Sequence, residues 1–416
     1  MSISKRLILG CLVILFIFGF FSLAISGSRD NKKNDLYKQV ELFSDSLAII
    51  QEEYVDESKP KDLIYGALKG MLASLDPHSQ FLNPEDFNEL KIETEGKFGG
   101  IGIEITTKDN MLTVITPIND TPAWRSGIKA GDRIVKIYDR LTQGMNLTDA
   151  VKLMRGKPGE TLKLSVLRDR EKKMLDFVIK RDVIKIKDVK YAQILEDGIG
   201  YIRLTEFREN TFTQLNTALS SLAKQNINAL ILDLRNNPGG LLEEAAKITG
   251  KFIPYGQLIV YTKGRKISED VKFTADVKNP IINLPMVVLI NEGSASGSEV
   301  VAACLQDYKR AMIIGSKSFG KGSVQAIIPL GDGSALKLTT SKYFTPSGKV
   351  IHGNGVTPDI IVEAGKKQDD TAELPENTAK KAFDPNFLDY KSDNQIQSAI
   401  SALKSVNFYK NSAKNK

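Results

Sequence analysis

Apolar positions along the chain change period several times, and each change marks a boundary. Leu7–Ser26 carries no charge and follows Lys5-Arg6. Over 35–96 the apolar residues fall at helical spacing, with Leu42, Leu47, Ile50 and Tyr54 on one stripe and Leu63, Ile64, Leu68, Met71 and Leu72 on another. These stripes predict a helical N-terminal region. From 97 to 182 the period drops to two, in Ile101, Ile103 and Ile105 and then around Leu112, Val114 and Ile115. Strands are predicted at Arg133–Tyr138, Thr161–Arg168 and Met174–Arg181, with a short helix at Leu147–Met154. About 85–90 residues of short strands and two small helices make an independent module.

Between 183 and 365 strands alternate with helices. Ile199–Phe207 reads as a strand, and Thr211-Phe-Thr-Gln214 as a capping box opening a helix with Leu215, Ala218, Leu219 and Leu222 on one face. Ala229–Leu234 is almost continuously apolar, as in a sheet covered on both faces. Strand, glycine turn and helix recur at Leu241–Phe252 and at Met286–Arg310, which predicts α/β architecture, α+β in part. The polar stretch 366–386 reads as a linker, and the terminal part of 366–416 as a helix bearing Ile396, Ile400 and Leu403.

Composition narrows the function classes. The chain has 416 residues, 42% hydrophobic and 26% charged, which predicts two or three globular domains. A formal charge of +7 from scattered lysines gives no basis for a nucleic-acid partner. Cys11 lies in the N-terminal apolar run and Cys304 on a predicted buried helix face, so no disulfide framework is expected. With only His78 and His352 and no cysteine pair, no metal site or cofactor is expected either. Residues 1–26 read as a signal peptide or a membrane anchor of the same length, with Ala24-Ile25-Ser26 at cleavage spacing. The expectation is export, to the periplasm or to the outer side of the inner membrane.

The scarcity of histidine shapes the chemistry. Ser296, in Asn291-Glu-Gly-Ser-Ala-Ser-Gly-Ser-Glu299, sits between an apolar run and a helical pattern, where helix N-H groups favour negative charge. A serine nucleophile needs a base, and with histidine scarce the candidate is Lys321, in Phe319-Gly-Lys-Gly322. Burial between Phe319 and Val324 would favour its neutral form, and Gln325 could orient the amine without adding charge. In Asn237-Pro-Gly-Gly240, Gly239 or Gly240 could supply a second oxyanion donor. The loop Gly99, Gly100, Ile101, Gly102 could hold a carboxylate through its amides while the next strand pairs with a peptide. Taken alone, each feature has a plainer reading: serines capping a helix, a lysine in an exposed turn, a helix-starting turn, a glycine bulge. Gly315-Ser-Lys-Ser-Phe-Gly-Lys321 imitates a phosphate loop, but position 322 is glycine and a strand pattern follows. The G-x-S-x-G elbow is absent because position 294 is serine.

Taken together, five motifs occur in a telling order. They are Asp76-Pro-His-Ser-Gln-Phe81, Asp233-Leu-Arg-Asn-Asn-Pro-Gly-Gly240, Gly293-Ser-Ala-Ser-Gly-Ser-Glu299, Phe319-Gly-Lys-Gly-Ser-Val-Gln325 and Gly353-Asn-Gly-Val-Thr-Pro-Asp359. The chain from about 40 to 363 thereby resembles the bacterial carboxyl-terminal processing (tail-specific) proteases, and Gly99-Gly-Ile-Gly102 with Thr121-Pro-Ala…Ala130-Gly-Asp-Arg-Ile134 resembles a PDZ domain. The resemblance implies a crotonase-like protease core at 183–365 with a PDZ domain inserted at 97–182. It implies Ser296 as nucleophile, Lys321 as base, Gln325 as its orienting residue, and Gly239 or Gly240 with Gly297 as backbone oxyanion donors. Glu299 matches an acid with a supporting role, and Gly297 departs from the alanine of many relatives. The implied partners are proteins with unstructured apolar C-termini, with membrane anchoring and a homodimer as further expectations. A catalytically silent PDZ scaffold is the alternative; a crotonase-type acyl transferase gives no reason for an exported PDZ module.

Overall fold

The computed structural model describes residues 35–168, 171–266, 270–365 and 388–414. The expected signal or anchor at 1–26, the linker at 27–34 and the polar stretch 366–386 lie outside them. Among the described residues no helix is long and apolar enough to cross a membrane.

The chain divides into two compact units. The first comprises residues up to Asn83 with Leu336–Leu338; the second holds the rest. In the first unit, helix α1 (35–53) carries the predicted stripe, but Leu42, Ile50 and Tyr54 are exposed. Helix α2 (Pro60–Ala73) begins at a proline and is followed by the short strand β1 (Gln80–Leu82), whose Phe81 ring packs on Tyr65. The helical region does not run intact to 96, because α3 (Pro84–Glu95) belongs to the second unit. There Arg208 and Glu209 donate to the carbonyls of Glu93 and Thr94.

Strands β2 (Lys97–Gly100) and β9 (Asp182–Lys185) pair antiparallel and bring the chain into and out of the PDZ-like module. Between them lie β3 (Ile103–Lys108), β4 (Met111–Pro117), α4 (Pro122–Arg125), β5 (Arg133–Ile137), β6 (Arg140–Leu141), α5 (Leu147–Met154), β7 (Thr161–Arg168) and β8 (Lys173–Lys180). The sheet order is β3-β4-β5-β7-β8, so β3 has one open edge. Period-two residues of its strands, with Ala150 and Met154 of α5, form a separate core.

The larger core is a six-stranded sheet ordered β10 (Val189–Ile194), β11 (Ile199–Leu204), β12 (Ala229–Asp233), β15 (Met286–Ile290), β16 (Met312–Gly315) and β19 (Ile360–Ile361). All neighbours pair parallel except β10 with β11. Alternate residues of the buried strands point to opposite faces. Leu230, Leu232, Val288 and Ile313 meet α6 (Thr211–Ala223), α7 (Leu242–Gly250) and α8 (Gly297–Asp307) on one face. Tyr201, Ile231, Leu289 and Ile314 meet the C-terminal helix α9 (Asn394–Lys414) on the other. A second sheet carries β14 (Lys272–Thr274), β13 (Leu258–Gly264), β18 (Ala335–Phe344) and β17 (Ser323–Pro329), in that order.

Two local expectations change. Helix α6 is not opened by a capping box, because Thr211 Oγ1 bonds Asp188 and Gln214 Oε1 accepts from the Asp188 amide. Helix α8 is buried on every face from Gly297 to Leu305, with Cys304 inside as expected. Helix α9 is no appendage: Ile396, Ala399, Ile400 and Leu403 are all at most 2% exposed. Each buried Ile or Leu is worth about 1.5–3 kcal/mol, comparable in sum to a good part of a domain's net stability. The α/β core, expected to end at 365, therefore extends past it.

A buried ion pair ties the end of β12 to α9. Arg235 donates to both Asp233 oxygens at 2.6–3.1 Å and, through its other nitrogen, to Asp393 and Gln395. Tyr201 donates to Asp233 at 2.6 Å. Burial alone would push the Asp233 carboxyl up, but the Arg235 guanidinium outweighs it and holds the group below the usual carboxylate range. A carboxyl depressed on folding stabilises at neutral pH, and that stabilisation is lost as pH falls below about 4. Thermal melts between about pH 6 and pH 3 should show wild type losing stability faster than Asp233→Asn on acidification. At pH 6 the variant, with Arg235 deprived of its main counter-charge, should be weaker by about 3–5 kcal/mol.

Candidate active site

Three connections leave the carboxyl ends of the adjacent strands β12, β15 and β16, the edge where open α/β sheets hold ligands. They carry Gly239-Gly240, Ser296 and Lys321. Ser296 directly precedes α8 with φ 54° and ψ −114°, a left-handed conformation for a non-glycine residue. The turn is pinned around it. Ser294 Oγ donates to the Leu234 carbonyl at 2.8 Å, and the Ala295 amide and Ser298 Oγ both donate to the Asn237 carbonyl.

Glu299, fully buried one turn into α8, joins this turn to the Lys321 loop. Its carboxylate accepts four hydrogen bonds: from the Ser296 amide at 2.9 Å, Ser318 Oγ at 2.5 Å, the Gly320 amide at 2.7 Å and the Lys321 amide at 2.9 Å. One oxygen takes both the Ser296 and the Lys321 amides, so these nitrogens lie within two hydrogen-bond lengths of each other. Four donors offset the several kcal/mol that burying a lone carboxylate costs. The Lys321 loop also leans on the Gly353–Val356 segment, since Ser318 Oγ accepts from the Val356 amide and the Gly320 carbonyl from the Gly353 amide. Gly322 is required there, for a Cβ would fall 2.3 Å from the His352 nitrogen.

Tyr343 of β18 completes the link. Its side chain is 1% exposed, and its hydroxyl donates to the Lys321 carbonyl. Burial, then the charge of Glu299, pushes this phenol well above its ordinary range, so it stays a neutral donor. Sequence reasoning missed Tyr343, because a tyrosine in a β-strand ordinarily signals packing.

The glycine turn approaches Ser296 and Phe207 closely. A Cβ on Gly239 (φ 103°) would lie 2.6 Å from Ser296 Cβ, and one on Gly240 (φ 139°) 2.2 Å from the Phe207 carbonyl oxygen. The two amides differ in availability. That of Gly239 donates to Asn237 Oδ1 at 2.9 Å, whereas those of Gly240 and Gly297 meet no acceptor among the described residues. Gly297 lies 3.2 Å, at its Cβ position, from both Ala245 Cβ and Phe207 Cδ2, which is tight for the methyl group of an alanine.

One support expected for Lys321 is arranged differently. Phe319 is 64% exposed and does not bury the lysine, which is itself half-buried. The Gln325 amide donates to Ser323 Oγ at 2.9 Å and to the Ser323 carbonyl, at the start of β17. His352 contributes backbone to the Lys321 loop, and His78 donates its amide to Asp76. Among the described residues no group of three or more His, Cys, Asp or Glu side chains converges as a metal would require.

In the inserted module, the expected loop is shorter: Gly99 and Gly100 end β2, and Ile101 and Gly102 alone connect it to the open-edged β3. Gly99 accepts the Gly156 amide at 3.1 Å, and a Cβ on it would lie 2.0 Å from the Gly156 oxygen. The Ile101 carbonyl accepts the Ala123 amide, and that of Gly102 accepts Thr121 Oγ1. The Ile101 and Gly102 amides meet no acceptor among the described residues.

Comparison with known proteins agrees with this geometry. The peptidase family S41 profile matches residues 198–362, the PDZ domain profile residues 99–179, and that of the activating protease CtpB N-terminal domain residues 22–86. A carboxy-terminal-processing protease of Bartonella bacilliformis is 45% identical over 84% of this chain and 82% of its own. The carboxy-terminal processing protease CtpA of Bacillus subtilis is 35% identical over 88% of this chain and 75% of its own. A solved structure of a candidate S41 protease from Bacteroides fragilis shares the fold at 15% identity, with a TM-score of 0.50 over 86% of this chain and 97% of its own. The chain therefore belongs to the carboxy-terminal processing serine proteases of peptidase family S41, with a PDZ domain inserted before the protease core.

Proposed function

We propose that this protease cleaves exported proteins whose unstructured C-termini end in apolar residues, using Ser296 as nucleophile and Lys321 as general base. The observation that carries the reading is the Glu299 carboxylate, which holds the backbones of both residues on one oxygen. In the first step the Ser296 oxygen bonds to the scissile carbonyl carbon while the neutral Lys321 amine takes its proton. The developing oxyanion receives the Gly240 and Gly297 amides, the two in this site with no competing acceptor. The peptide C–N bond then breaks as Lys321 returns the proton to the leaving amine. Water, deprotonated by the same lysine, releases the acyl chain and frees Ser296. Tyr343, whose hydroxyl donates to the Lys321 carbonyl, holds the backbone of the base in place.

The PDZ domain supplies selectivity. The unpartnered Ile101 and Gly102 amides suit a terminal carboxylate, and the open edge of β3 suits an extended chain. Residues 1–26 would export the protein or anchor it to the membrane, and the exposed apolar residues of α1 suit a second copy of the chain.

Cleavage of an unfolded reporter with an apolar C-terminus tests the dyad. Ser296→Ala and Lys321→Ala should each lower kcat by about 10³-fold or more with little change in KM, as loss of a triad member does elsewhere. Equal cleavage by wild type and both variants would exclude the assignment. Amidating the reporter's terminal carboxylate should raise KM about tenfold or more if the 99–102 loop reads that charge, given the strength of charge-assisted bonds. An unchanged KM would remove the loop from recognition.

A further inference from the structure

We propose that the C-terminal helix α9 is a positioning element of the active site, with Asp393 and Gln395 holding the oxyanion turn in register through Arg235. This inference rests on the proposed role of that turn. The peptidase family profile ends at residue 362, before α9 begins. Yet the side chains that complete the coordination of Arg235 come from the start of this helix. One guanidinium nitrogen donates to Asp393 Oδ1 at 3.0 Å and to Gln395 Oε1 at 2.8 Å. Gln395 is 2% exposed, and its own amide donates to the Val362 carbonyl, so it stitches the last core strand region to Arg235.

The other nitrogens of Arg235 are spent on Asp233, the last residue of β12. The chain then turns through Asn236 (φ 56°) and Asn237 to Gly239, whose backbone lies against Ser296. Asn237 is the hinge of the arrangement: buried, it donates to the Leu204 carbonyl, fixes the Gly239 amide and accepts from Ala295 and Ser298. A guanidinium is a planar fork that satisfies two partners only in one orientation. With the α9 side in place, Arg235 is gripped from both sides and the turn begins from a fixed point. Without it, Arg235 keeps Asp233 but loses the contacts that stop it swinging.

The plain alternative is that Asp393 only caps α9, since its Oδ1 also accepts the Gln395 and Ile396 amides. The variants separate these roles. Asp393→Ser keeps an N-capping side chain but is too short to reach Arg235, and Gln395→Met keeps the volume without the oxygen. In the full-length protein, at a temperature where it stays fully folded, the double variant should lower kcat for the unfolded reporter about tenfold and leave KM within about twofold. Asp393→Asn, which retains both cap and acceptor oxygen, should recover most of the loss. Lys404→Ala, on the same helix but away from Arg235, should match wild type. Hydrogen exchange of the 236–241 amides is read in the same proteins and does not depend on cleavage. Faster exchange there in the double variant, with the rest of β12 and β15 unchanged, is the expected result. Unchanged exchange, or a loss of kcat matched by Lys404→Ala, would overturn the positioning role. A wild type that fails to cleave while the exchange result holds would instead overturn the assigned protease chemistry alone.

Discussion

A carboxylate without solvent must find donors, and in this protein the donors of Glu299 join the two loops of the candidate active site. Its partners are the backbone of Ser296 on one side and those of Gly320 and Lys321 on the other, with Ser318 as a fourth. The two loops leave different strands and are separated by the whole of α8. No local preference would bring them together. The acid at the third position of α8 does so by satisfying N-H groups that a helix start and a glycine loop leave free. It also lies where the helix dipole favours negative charge.

The parallel sheet makes this possible. Because β12, β15 and β16 run side by side in one direction, their following loops emerge at one edge and need only short spans to meet. Each loop then uses glycine where another backbone comes within van der Waals distance: Gly239 at Ser296, Gly240 at Phe207 and Gly322 at His352. The face opposite α8 is closed by α9, so the helix that buries Leu403 and Ile400 also places Asp393 and Gln395 beneath the oxyanion turn. Stability and alignment thus share one element.

Much of the fold was legible in the sequence. The α/β alternation, the inserted strand-rich module and the helix at Leu147–Met154 follow from periodicity, and Ser296 and Lys321 stand out because histidine is scarce and glycines surround them. What was not legible is tertiary. Tyr343 reaches the Lys321 carbonyl from a strand 22 positions later, and nothing in a strand pattern distinguishes it from a packing tyrosine. Asp393 looks like a helix cap because it is one; its second role depends on Arg235, 158 positions away. The preference for Gly240 over Gly239 depends on where the Asn237 side chain turns. Phe319 was expected to cover Lys321, yet its backbone, pinned to the Ser294 carbonyl, leaves the ring in solvent.

The central claim is that Glu299 aligns nucleophile and base without touching substrate. Replacing it by glutamine keeps the shape but sets an amide N-H₂ group against the N-H donors the carboxylate now receives. The direct measurement is the rate at which a small fluorophosphonate phosphonylates Ser296, with loss of fluoride, in folded wild type and Glu299→Gln protein. Misplacement of a reacting group by about 1 Å costs about 100-fold, so a fall of about that size is predicted for a variant that retains its secondary structure. An unchanged phosphonylation rate would contradict the account.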